Sequence, residues 1–122
     1  MSKILIVEDD AFLSKMYAKK FQIAGFEVDV AHDGVEGLAK AKSFAPDLIL
    51  MDILMPKQNG IETLDKLKAD SATKGIPVVM ATNLSTTDDA DTAIKKGAVK
   101  YVVKSEVTPA DMVKIVSTLL KH

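Results

Sequence analysis

The 122-residue sequence contains no cysteine, which excludes a disulfide framework, a thiolate nucleophile and a cysteine-liganded zinc site. A reducing compartment is compatible with that absence. Arginine is missing too, so all 16 basic residues are lysines, and base reading by guanidinium forks is excluded. Set against 17 Asp and Glu residues, those lysines leave a net charge of −1, which provides no electrostatic basis for capturing nucleic acid. Long hydrophobic runs are absent as well. The first ten residues hold only the short apolar run Ile4 to Val7, far below a signal-peptide core or a membrane span. A cytoplasmic protein without membrane insertion is therefore expected. No Pro/Ser/Gly-rich linker interrupts the chain, and its length is about 0.8 of a typical domain, so one domain over residues 1–122 is expected. What is present is ordinary for a globular domain: 48% apolar and 27% charged residues.

Short apolar runs alternate with longer segments of helical period from end to end, the pattern of βα units. Ile4 to Val7, Leu48 to Met51 and Val78 to Ala81 are continuously apolar, as strands covered on both faces of a parallel sheet should be. These belong in the centre. In Phe26, Val28 and Val30 the apolar residues alternate with Glu27 and Asp29, which suits an edge strand with one wetter face. Tyr101 to Val103 lies between Lys100 and Lys104, and flanking lysines protect an edge. Helices are expected near Ala11 to Ala24, Val35 to Phe44, Ile61 to Ala69, Asp88 to Lys96 and Pro109 to Lys121. Gly25 and Gly97 suit left-handed C-terminal caps, while Thr108, Pro109 and Asp111 read as N-cap, first-turn proline and capping acid. The sum is an α/β fold: a doubly wound, five-stranded parallel sheet of order 2-1-3-4-5, flavodoxin-like, with helices on both faces.

In such a sheet a ligand binds beyond the carboxyl ends of the strands, at the switch point between strands 1 and 3. Strand 1 ends in Glu8, Asp9 and Asp10, strand 3 in Asp52, strand 4 in Thr82 and strand 5 in Lys104. Adjacent strands lie about 4.8 Å apart, which puts Asp52 within reach of the strand 1 acids and of Thr82. Strand 5 is two spacings away, a span that a long lysine can bridge. Crowded carboxylates need a compensating cation, and an all-oxygen donor set favours Mg²⁺. A metal-neutralised carboxylate beside an ammonium group can attack a phosphoryl group, giving an acyl phosphate on Asp52. Taken singly, Asp9 or Asp10 reads as a helix cap, Thr82 as a structural strand-end residue and Lys104 as edge protection. Their convergence is what points to chemistry. His32 and His122 lack metal-ligand spacing, and Lys95, Lys96 and Lys100 read as a solvated face.

These residues resemble the receiver domain of bacterial two-component response regulators, and the likeness covers essentially the whole chain. It rests on the acidic cluster after strand 1, on Asp52 followed by Met55, Pro56, Asn59 and Gly60, and on Thr82 and Lys104. The resemblance implies that Asp52 is the phosphoacceptor, that Asp9 and Asp52 bind Mg²⁺ directly, Glu8 through water, and the Leu54 carbonyl as a further ligand. It also implies that Thr82 is the switch hydroxyl, Lys104 the phosphate-binding cation and Tyr101 the switch aromatic. The implied partners are a sensor histidine kinase or histidine phosphotransfer protein, and a protein target reached through the face of helix 4, strand 5 and helix 5. Direct nucleic-acid contact is not expected, nor is turnover as an enzyme.

Three positions depart from the family pattern. Ser105 follows Lys104 where the family usually has a cis-linked proline, and a cis non-proline bond costs about 2.5–4 kcal/mol; either strain or a different approach of Lys104 is expected. Asn83 follows Thr82 where a small residue is common. Leu54 and Leu84 flank the path of the hydrolytic water, and neither can orient it, which implies slow self-dephosphorylation. Two rival functions compete with a phosphorylated switch: a non-phosphorylated interaction scaffold, and a turnover phosphatase or flavin protein on the same architecture. The intact acid, hydroxyl and ammonium set argues against the first, and Leu54 and Leu84 against a phosphatase. Dinucleotide binding is disfavoured because the first turn, Glu8 to Ala11, is acidic where glycines are needed.

Overall fold

The computed structural model describes residues 2–53, 59–82 and 87–121. Five strands alternate with five α-helices: β1 (Lys3–Val7), α1 (Ala11–Ile23), β2 (Glu27–Ala31), α2 (Gly34–Ser43), β3 (Leu48–Asp52), α3 (Gly60–Ala69), β4 (Val78–Thr82), α4 (Thr87–Lys95), β5 (Lys100–Val103) and α5 (Pro109–Lys121). A single 3₁₀ turn, Lys104–Glu106, joins β5 to the segment before α5. The strands form one parallel sheet in the order β2-β1-β3-β4-β5. The expected fold class, strand order and edge strands are all found, with element ends displaced by a residue or so.

Each apolar strand is shared between two cores, because successive side chains point to opposite faces. Ile4, Ile6, Leu48, Leu50, Val79, Ala81 and Val102 pack on one side with Tyr17 and Phe21 of α1 and Met112 and Val116 of α5. Leu5, Val7, Ile49, Met51, Val78 and Met80 pack on the other with Leu64 and Leu67 of α3 and Ala93 of α4. On α1 the sheet-facing series Leu13, Tyr17 and Phe21 recurs every four residues, the period of one helix face.

The helix ends have clear causes. Asp10 caps α1, its Oδ1 accepting from the amides of Phe12 and Leu13 at 2.9 and 3.0 Å. Asn59 caps α3 by accepting from Glu62 N at 2.9 Å. Thr108 and Asp111 form the expected reciprocal box: the Thr108 amide donates to Asp111 Oδ2 at 3.1 Å, and the Asp111 amide to Thr108 Oγ1 at 3.0 Å. Gly25 and Gly97 take φ of +99° and +111°, the left-handed conformation that closes a helix. Among the described residues no peptide bond is cis. The Lys104–Ser105 bond is therefore trans, and Lys104 reaches inward from the start of the 3₁₀ turn by a different approach.

Candidate functional site

The registers of the central strands place the site. Val7 pairs with Met51, so the residues that follow them, Glu8 and Asp52, emerge side by side. Asp52 pairs with Ala81, and Thr82 with Val103. Alternation along β1 and β3 sends Glu8 and Asp52 to the face of Ile6 and Leu50, which α1 and α5 cover. Lys104, two residues after Val102, joins them on that face. Thr82 and Tyr101 belong to the opposite face, where Tyr101 packs against the core that includes α3 and α4.

Three carboxylates from two strand ends meet here: ligand oxygens of Glu8, Asp9 and Asp52 lie within 4.8 Å of one another. Asp9 is exposed, whereas the Glu8 and Asp52 side chains keep only 4% and 11% of their surface. The Lys104 ammonium, 7% exposed, crosses beneath β4 and lies 3.2 Å from Asp52 Oδ2. It also donates to Glu8 Oε1. The second Glu8 oxygen accepts from the Asp10 amide at 3.2 Å.

Burial and charge act against each other at these groups. Burial pushes the Glu8 carboxyl up to about 7, opposed by the Lys104 ammonium and aided by the charge of Asp52. Burial also works to lower Lys104, but its hydrogen bond to Glu8 and the charges of Asp52 and Glu8 outweigh that effect, leaving it above its usual value. A buried ammonium shared by two carboxylates is the result. The donor set fits a hard divalent cation: oxygen ligands only, one of them open to solvent, with neither thiolate nor imidazole.

Not every expected residue enters the cluster. Asp10 is used as the α1 cap. Thr82 is buried at the end of β4, beside Asp52 but on the other face of the sheet. His32 is exposed and lies 3.4 Å from Glu36, away from any metal-ligand group among the described residues. Lys96, just past the end of α4, reaches both Asp65 oxygens of α3 at 2.9 Å, while Lys95 and Lys100 are exposed. Leu54, Met55, Pro56, Asn83, Leu84 and His122 lie outside the described residues, so the carbonyl ligand and the two water-flanking leucines are not placed. One side chain that the sequence does not advertise stands beneath the acids: Tyr17 of α1, 4% exposed. Its only sequence signal is a polar hydroxyl within the apolar every-fourth-residue series of that helix.

Comparison with known proteins follows the same lines. Residues 4–117 match the response regulator receiver domain family. The DNA-binding dual master transcriptional regulator RpaA of Synechocystis is 36% identical over 104 residues, 85% of this chain and 43% of that protein. The DNA-binding response regulator MtrA of Mycobacterium tuberculosis is 37% identical over 102 residues, 84% of this chain and 43% of that protein. The chain thus spans under half the length of these relatives. Among solved structures, the chemotaxis protein CheY4 of Vibrio cholerae has a TM-score of 0.90 at 31% identity, covering 97% of this chain and 98% of that one.

Proposed function

The chain belongs to the response regulator receiver domain family, and from that premise we propose that Asp52 accepts a phosphoryl group from a phosphohistidine of a sensor kinase or phosphotransfer protein. The observation that carries this reading is the Lys104 ammonium, drawn in from the edge strand to within 3.2 Å of Asp52. A lysine serving only to protect an edge would lie in solvent.

In the proposed reaction an Asp52 carboxylate oxygen attacks phosphorus. The new O–P bond forms as the N–P bond breaks, the imidazole nitrogen keeps the electron pair and takes a proton from solvent, and an acyl phosphate remains on Asp52. Glu8, Asp9 and Asp52 would hold Mg²⁺, which when bound neutralises charge on the transferred oxygens. The Lys104 ammonium would do the same, and its burial strengthens that interaction. Thr82 and Tyr101, which share the α3/α4 face of the sheet, form the proposed switch pair. That arrangement suits a signal leaving through α4, β5 and α5, where Ile94 and Val99 are about half exposed. In this reading residues 1–122 form one cytoplasmic receiver domain that acts as a phosphoryl acceptor without turnover.

The test is intact mass after incubation with a small-molecule phosphodonor, with and without Mg²⁺. A Mg²⁺-dependent gain of one phosphoryl group is expected, lost in Asp52→Ala, and its decay over time reads the lifetime that Leu54 and Leu84 are expected to prolong. An unmodified wild-type chain would return the protein to the class of phosphorylation-independent scaffolds.

A further inference from the structure

β2 lies at one edge of the sheet, and an edge strand presents backbone groups to which another strand can bond. Its pairing with β1 tells which groups those are. Glu27 N donates to Ser2 O and Glu8 N to Ala31 O, so Glu27 and Ala31 bond inward. By the two-residue period of a strand, Val28, Val30 and the following His32 turn their amides and carbonyls outward.

Three of those outward groups are already taken by charged side chains. The Val30 amide donates to Asp29 Oδ1 at 2.8 Å, and the Val30 carbonyl accepts from the Lys40 ammonium of α2 at 2.6 Å. The His32 amide donates to Glu36 Oε1 of α2 at 2.8 Å. Lys40 also meets Asp29 Oδ1 at 3.1 Å, which joins the two caps on Val30. Within β2 only Val28 keeps outward groups that no described side chain takes.

Stability alone is a poor reason for this arrangement. The Lys40 and Asp29 side chains keep 32% and 40% of their surface, and an ion pair so open to water contributes about 0–1 kcal/mol. What the two side chains do is occupy the places of a neighbouring strand. The carboxylate stands where that strand's carbonyl would accept, and the ammonium where its N–H would donate.

We propose that Asp29, Lys40 and Glu36 form a strap that closes the β2 edge to strand addition, and that the surface beneath the strap fits β2 of a second copy of this chain. Two copies related by a two-fold axis would lay β2 against β2 antiparallel, each needing the backbone groups that the strap holds. Pairing must then displace charge-assisted hydrogen bonds in both copies. The strap therefore keeps this edge unpaired.

The experiment is sedimentation equilibrium, with amide hydrogen exchange at low and high protein concentration, on wild type and on Asp29→Ala/Lys40→Met. The double variant removes both Val30 caps and keeps most of the apolar stem of Lys40. It should self-associate at least about ten-fold more tightly than wild type, the scale of one hydrogen bond to a charged group. Its Val28 and Val30 amides should exchange more slowly as concentration rises. Equal association of the two proteins would overturn the inference. So would tighter association that leaves those two amides independent of concentration, because the contact would then lie elsewhere. Lys40→Met alone, which frees the Val30 carbonyl, is read by the same two measurements and covers the case in which the double variant fails to fold. Neither measurement uses a phosphodonor or Mg²⁺, so the result stands apart from the phosphoacceptor reading.

Discussion

Lys104 is the residue on which the site's charge balance turns. Its ammonium and the Glu8 carboxylate it serves are 7% and 4% exposed, so solvent screening does little for them and removal of one partner leaves the other buried and uncompensated. Breaking such a pair costs about 3–5 kcal/mol. Lys104→Met keeps most of the stem and deletes the charge, and it should destabilise the protein in EDTA by about 3 kcal/mol, read from urea denaturation midpoints. Mg²⁺ should restore part of the loss in the variant, since a divalent cation can compensate the same carboxylates. A variant as stable as wild type in EDTA would show that the acids find their compensation elsewhere. At this scale Glu8, Asp9, Asp52 and Lys104 were legible because each ends a strand and strand ends define the site in this fold. Asp10 has the same sequence credentials as Asp9, and only the geometry of the first turn assigns it to the cap. Tyr17 was illegible, because a tyrosine at a core position of a helix carries no mark of what lies beyond its hydroxyl.

Among the elements, α3 begins directly against the backbone that carries Asp52. Its first residue, Gly60, donates its amide to Ile53 O at 2.7 Å. A Cβ there would sit 2.3 Å from the Asp52 carbonyl oxygen and 2.8 Å from both Ile53 Cα and Met80 Cε. Two of those three neighbours are backbone, which no rotamer change can move. Overpacking typically costs about 1–3 kcal/mol, and Gly60→Ala should reach the upper end, about 3 kcal/mol, in chemical denaturation. It should also slow phosphorylation, because relief of the clash displaces the backbone that carries Asp52. Gly75→Ala is the control, with nothing within 4 Å of the added carbon, and should match wild type in both assays. The elements themselves were legible to within a residue or so, since continuous apolar runs mark buried strands and Asp111 after Thr108 marks a helix start. Asn59 and Gly60 were legible only through the family resemblance. Their physical reasons, a cap on Glu62 N and a close approach to the Asp52 carbonyl, exist only once β3, β4 and α3 are assembled.

Across the whole molecule, folding itself is linked to the protonation of the site. In the unfolded chain Glu8 releases its proton near the usual 4.5, whereas in the metal-free fold it holds it until about 7. Between those values the native state binds more protons than the unfolded state, so stability must fall as pH rises. The contribution of Glu8 is fully present below 4.5 and lost as pH passes through about 7. Lys104, raised above its usual 10.5, adds stability that is lost only in more alkaline solution and leaves the neutral window to Glu8. A cation that binds the ionised carboxylates stabilises the fold by mass action and opposes this slope. Thermal unfolding in EDTA should therefore show a melting temperature that drops from about pH 5.5 to about pH 8, more steeply in wild type than in Glu8→Gln. Excess Mg²⁺ should flatten the wild-type curve and leave the Glu8→Gln curve nearly as it was. Parallel curves for the two proteins in EDTA would mean that Glu8 titrates alike in the folded and unfolded chains, and that the fold does not hold its acid cluster under charge stress.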